Sequence, residues 1–88
     1  MTDVELRSVF SANLRAIRKL RRLTQTTLAA RCAFTQGLVS HLEQGSTTPS
    51  FETLAALSRA LDTTPGLLLT PGAFAPVQTA GKISAVPA

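Results

Sequence analysis

Apolar residues recur near the start of the chain at the spacing of one helical face. Leu6, Phe10, Leu14 and Ile17 fall three or four apart, with Arg15, Lys19 and Arg22 roughly opposite. That period predicts an amphipathic helix packed inward along one stripe and charged along the other. The pattern then restarts twice in quick succession. Thr24 suits an N-cap, Gln25 to Arg31 tolerate helix, and Leu28, Ala29 and Cys32 make one buried stripe. Ala33-Phe34 breaks the pattern. Thr35 can cap a further helix over about Gln36 to Glu43, and Gly45 is placed to stop it. On that helix Val39 and Leu42 share one side with Leu38 at its edge, while Gln36, Gly37, Ser40 and His41 share the other.

Farther on, Ser46-Thr47-Thr48-Pro49 reads as a loop and Ser50 as the cap of a fourth helix, Phe51 to Leu61, with Leu54, Leu57 and Leu61 inward. Thr64-Pro65 opens a fifth, proline being well tolerated at the first helical position. Leu67, Leu68 and Leu69 follow at once. Three consecutive leucines cannot all face one core, so part of this surface is expected to be covered by another chain or by the tail. From Thr70 to Ala88 the composition changes, with Pro71, Pro76, Pro87, Gly72 and Gly81 and a single charge, Lys82. The expected organisation is an all-α domain over 1–69 and a Pro/Ala/Gly-rich tail over 70–88. The tail is either flexible or, through the alternation from Lys82 to Val86, a strand-like dimer arm.

Two short helices joined by a tight break outline a helix-turn-helix, whose second helix enters the major groove of DNA. Glutamine can make paired hydrogen bonds to adenine and serine can bond to several bases, so the polar face of the third helix suits base reading. An ordinary amphipathic helix in a bundle would show the same face. The surroundings separate the two. Leu14, Arg18, Leu23-Thr24-Gln25, Leu28-Ala29, Val39 and Leu42-Glu43-Gln44-Gly45 are followed by Pro49, Leu54, Leu57, Ala60-Leu61 and Leu67-Leu68. In this order and spacing, from about Phe10 to Leu69, the chain resembles the lambda repressor/Cro (XRE) family of helix-turn-helix domains.

The resemblance implies a compact five-helix, all-α domain with the motif formed by helices 2 and 3. It implies a sequence-specific transcriptional regulator, in its simplest form a homodimeric repressor reading a palindromic operator in double-stranded DNA. Two recognition helices about one DNA turn apart would then read paired half-sites. An antitoxin-like or accessory protein-interaction module built on the same fold is the alternative. Position by position, Gln25 would contact a phosphate, Thr35 would do so or only cap, and Gln36 would read a base, with Ser40 and His41 next. His41 also fits a plain surface residue. Arg18 and Glu43 would form a structural ion pair. Phe51, Leu67, Leu68 and Leu69 fall in the regions that supply a two-fold dimer contact.

Three places depart from the family pattern. Ala33 stands where the turn usually has glycine, at a cost of about 1 kcal/mol if the backbone is left-handed. Gly37 replaces a long side chain, which fits either simple tolerance or close backbone approach to DNA. Ser46, Thr47 and Thr48 carry no cation, so phosphate contacts there would come from hydroxyls and backbone amides.

Composition narrows the rest. Eighty-eight residues make one small domain with a modest core, which an oligomer would help. Nine Lys and Arg against five Asp and Glu give a formal +4. Placement says more than the sum, because Arg7, Arg15, Arg18, Lys19, Arg21, Arg22 and Arg31 precede any acid between Arg7 and Leu42. Such a run is often just a solvated helix face, but opposite an inward apolar stripe it also supports phosphate attraction independent of base sequence. The one cysteine, Cys32, and the one histidine, His41, fall on different helices without an acid partner, and no metal-ligand spacing or phosphate-cradling glycine pattern occurs. No enzyme activity, metal, cofactor or small-molecule effector is therefore expected. A lone cysteine fits a reducing cytoplasm, and Met1 to Glu5 shows no apolar run for a signal or membrane span.

Overall fold

The computed structural model describes residues 1–74, which form five helices: α1 (Asp3–Leu20), α2 (Gln25–Cys32), α3 (Gln36–Gln44), α4 (Phe51–Ala60) and α5 (Pro65–Leu68). The fold is all-helical, with no strand among the described residues. Each helix begins on a threonine or serine whose hydroxyl accepts from a backbone N–H three residues on: Thr2, Thr24, Thr35, Ser50 and Thr64. At Thr2 the exchange is reciprocal, since the Glu5 carboxylate accepts from the Thr2 N–H at 2.9 Å.

The first four helices also end alike. Arg22, Ala33, Gly45 and Asp62 take left-handed backbone with φ of 61°, 59°, 75° and 54°. In each case the next N–H reaches back to the fifth carbonyl before it, as Leu23 does to Arg18, Phe34 to Ala29, Ser46 to His41 and Thr63 to Ser58. This arrangement, the Schellman motif, satisfies carbonyls that a helix end would leave open. At Gly45 the fold asks for glycine twice, because an added Cβ would also lie 3.2 Å from the Ser11 hydroxyl. The Ser11 hydroxyl lies 2.7 Å from the carbonyl of Leu42, tying α1 to the end of α3.

Phe10, Leu14 and Ile17 of α1 meet Leu28, Val39, Leu42, Leu57, Leu61 and Leu68 in one core. Leu6, placed on the same stripe by its spacing, stays at the surface one turn short of that core. Two polar side chains close the far side. Asn13 donates its amide to the carbonyls of Leu68 and Thr70 at 2.9 and 2.8 Å, and Arg21 donates to those of Leu61 and Asp62 at 2.9 and 3.2 Å. The packed body extends past the boundary expected after Leu69, because Asn13 holds Thr70 and Phe74 packs against the core. The alternation from Lys82 to Val86 lies outside the described residues.

Leu68 corrects the expectation that Leu67, Leu68 and Leu69 share a dimer contact. It has no exposed surface, because α5 is a single turn whose inward position is Leu68 and whose carbonyls are held by Asn13. Leu67 remains exposed and Leu69 half-buried.

Candidate nucleic-acid interface

Helix α3 buries Val39, Leu42 and Glu43 and leaves Gln36, Gly37, His41 and Gln44 exposed, with Ser40 half-buried between them. A helix of nine residues pinned on one side thus presents a polar strip on the other. Thr35 acts as its cap, its hydroxyl accepting from the Leu38 N–H at 3.1 Å. Gly37 is not demanded by the fold, since an added Cβ would approach nothing nearer than the Thr35 hydroxyl at 4.0 Å.

Behind the strip runs a chain of side-chain hydrogen bonds. The Arg18 guanidinium grips Glu43 with two N–H groups, Nε to Oε2 at 2.5 Å and Nη2 to Oε1 at 3.0 Å, and gives a third to the Leu23 carbonyl at 2.8 Å. The Gln25 amide donates to the same Glu43 Oε1 at 3.1 Å, and Gln36 donates to Gln25 Oε1 at 2.7 Å. Glu43 is only 4 % exposed, so its charge is balanced by Arg18 in a place water scarcely reaches. The arrangement fixes the rotamers of Gln25 and Gln36 from within. It also leaves each amide part of its capacity: Gln36 keeps Oε1 and one N–H, and Gln25 keeps one N–H.

The carboxyl end of α3 is arranged similarly. His41 Nδ1 and the Ser46 hydroxyl lie 3.1 Å apart, and Ser46 also donates to the His41 carbonyl at 3.1 Å. Gln44 donates to the Ser40 hydroxyl at 3.2 Å. Thr47 is half-buried and Thr48 exposed in the loop that follows. Arg15 reaches across from α1 to donate to the Glu43 carbonyl at 3.1 Å, putting positive charge where the helix dipole is negative.

Sequence reasoning passed over Gln44 and Ser11, and read Arg15 only as part of the basic face of the first helix. Gln44 lies four residues after Ser40 and eight after Gln36, so helical spacing alone would have placed it on the exposed strip. The reach of Arg15 and Ser11 from α1 to α3 has no local signal. Cys32, by contrast, lies at the other end of α2, lining a cleft with Arg31, Ala56 and Arg59, where burial pushes its thiol up.

Phe51, at the start of α4, is 88 % exposed and Leu67 45 %. Phe51 borders an apolar groove of about 210 Å³ with Leu6, Phe10, Pro49, Leu54 and Leu69, at whose edge stand Asp3 and Arg7. Among the described residues no group of His, Cys, Asp and Glu is arranged to hold a metal, and no helix is long and apolar enough to cross a membrane.

Residues 14–68 match the helix-turn-helix family model. The chain is 34% identical over 68 residues to an uncharacterized HTH-type transcriptional regulator, y4dJ, of Sinorhizobium fredii, covering 77% of this chain and 88% of the relative. Two crystal structures of the clp gene regulator ClgR from Corynebacterium glutamicum share the architecture. One gives a TM-score of 0.70 at 28% identity, covering 93% of this chain and 80% of that one. The other gives 0.69 at 29%, covering 89% and 92%.

Proposed function

Because this chain belongs to the helix-turn-helix family of transcriptional regulators, we propose that it is a homodimeric repressor that reads a palindromic operator through α3. One observation carries this reading: Gln36 stands exposed at the start of α3, fixed through Gln25 and Glu43, with an acceptor and a donor still free. One acceptor and one donor on a single amide match the N6 and N7 edge of adenine in the major groove. Ser40, His41 and Gln44 extend the reading surface, while Gln25, Thr35 and the hydroxyls of Ser46, Thr47 and Thr48 meet the phosphates on either side.

The two-fold contact rests on the exposed Phe51 and Leu67 together with Leu69 and the groove beside them. Asp3 and Arg7 at one groove edge make that surface self-complementary in charge, as a two-fold contact requires. Occupancy of the operator is set by chain concentration and dimerisation.

Selection of bound sequences from a random DNA pool tests the reading. The expected product is a symmetric pair of half-sites with an adenine at the position that Gln36→Ala makes indifferent. Asymmetric single sites would overturn the dimer, and failure to enrich any sequence would overturn specific reading.

A further inference from the structure

Three arginines crowd the turn between α1 and α2, and the fold uses them unequally. Arg18 is engaged with Glu43 and the Leu23 carbonyl, and Arg21 with the carbonyls of Leu61 and Asp62. Arg22 is exposed, and its guanidinium makes no hydrogen bond or ion pair with a described residue. Its backbone, at φ 61°, is left-handed, a conformation that crowds any Cβ and that glycine takes without strain. Asp62 in the matching place has the short polar side chain that tolerates this region, and Ala33 the smallest possible Cβ substituent. Arg22 has neither excuse within the fold. The left-handed backbone closes α1 just as it closes α2, α3 and α4, so what the fold leaves unexplained is the arginine and not the conformation.

The location gives the charge something to do. Arg22 comes two residues before Thr24, the cap of α2, at the end of that helix where Gln25 meets Gln36. We propose that Arg22 is a phosphate-contacting residue, its guanidinium engaging the DNA backbone beside the bases that α3 reads. This rests on the DNA-reading function proposed above and adds a contact that is independent of base sequence. A guanidinium presents a planar fork of N–H donors suited to a phosphate, and such a contact strengthens binding without specifying it.

The test compares the full-length wild type with R22G, R22K and R59Q in thermal melting and in binding to a selected operator over roughly 50 to 200 mM salt. Arg59 lies in the cleft at the other end of α2, so R59Q removes the same charge at a distance. R22G is expected to melt no lower than wild type while its plot of log affinity against log salt becomes shallower by about one, with base preferences unchanged. R22K retains the wild-type slope, and so does R59Q. A wild-type slope in R22G overturns the proposal alone, as does equal flattening by R59Q, which would mean that net charge and not position matters. Loss of preference at one base in R22G also overturns it, in favour of a base contact. A wild type that binds no DNA even at low salt overturns both this assignment and the function on which it rests.

Discussion

Glu43 is buried between an arginine and a glutamine, so removing its carboxylate would leave the Arg18 guanidinium charged with no counterion. Breaking a buried pair from one side costs about 3–5 kcal/mol, and Glu43→Ala is expected to lose stability on that scale. Urea unfolding checks the magnitude; unchanged melting with lost DNA binding would show that Glu43 acts on DNA instead. Ala33 offers the opposite sign. Its left-handed backbone carries a Cβ penalty of about 1 kcal/mol, and Ala33→Gly should recover roughly that much. Cys32 sets a pH effect. A thiol whose folded value is raised by burial contributes stability below the ordinary thiol range and loses it as pH rises through the raised value. At neutral pH iodoacetamide should modify Cys32 more slowly in the folded chain than in urea, and equal rates would contradict this. The penalty at Ala33 was legible only through the resemblance, because Ala33 stands where the family's turn usually has glycine. The same backbone at Arg22 was not legible, since a pair of arginines after a helix signals only charge.

Caps and apolar spacing located α2, α3 and α4 to within a residue at each end, and the start of α5 at Thr64-Pro65, because both are local properties of the chain. For α1 the spacing gave the inward stripe but neither the cap at Thr2 nor the end at Leu20, short of Arg22. What joins the helices was less accessible. Gln25 and Glu43 are 18 residues apart, and no periodicity pairs an amide with a carboxylate over that distance. Their bond alters what the motif should do. Gln36→Ala should relax preference at one base in each half-site by about 1–3 kcal/mol, measured by a base-by-base operator scan. Gln25→Ala should weaken every site through its lost phosphate contact and also soften the position read by Gln36, which loses its support. Uniform weakening alone would mean that Gln36 holds its orientation without help.

On the scale of the molecule, the leucine run illustrates what a one-dimensional pattern leaves open. Leu67, Leu68 and Leu69 are chemically equivalent, and only the docking of α5 under Asn13 decides that Leu68 turns inward while Leu67 stays exposed. The surface that remains, with Phe51 at its centre, is expected to hold the dimer. Phe51→Glu should shift sedimentation toward monomer and make operator binding more strongly dependent on protein concentration, while melting changes little because the side chain is already exposed. An unchanged sedimentation coefficient would move the two-fold contact elsewhere.

The common ending of α1 to α4 also bears on time. Each cap and each reversal is closed by bonds spanning no more than five residues, so the chain is divided into units that form without waiting for distant partners. Proteins rich in such local contacts fold in microseconds to milliseconds, and stopped-flow refolding should be complete within that window. A newly made chain would then be competent almost as soon as it is released. The delay before an operator is filled would be governed by encounter between chains and by the search for DNA, and its persistence by the rate at which the chain is destroyed.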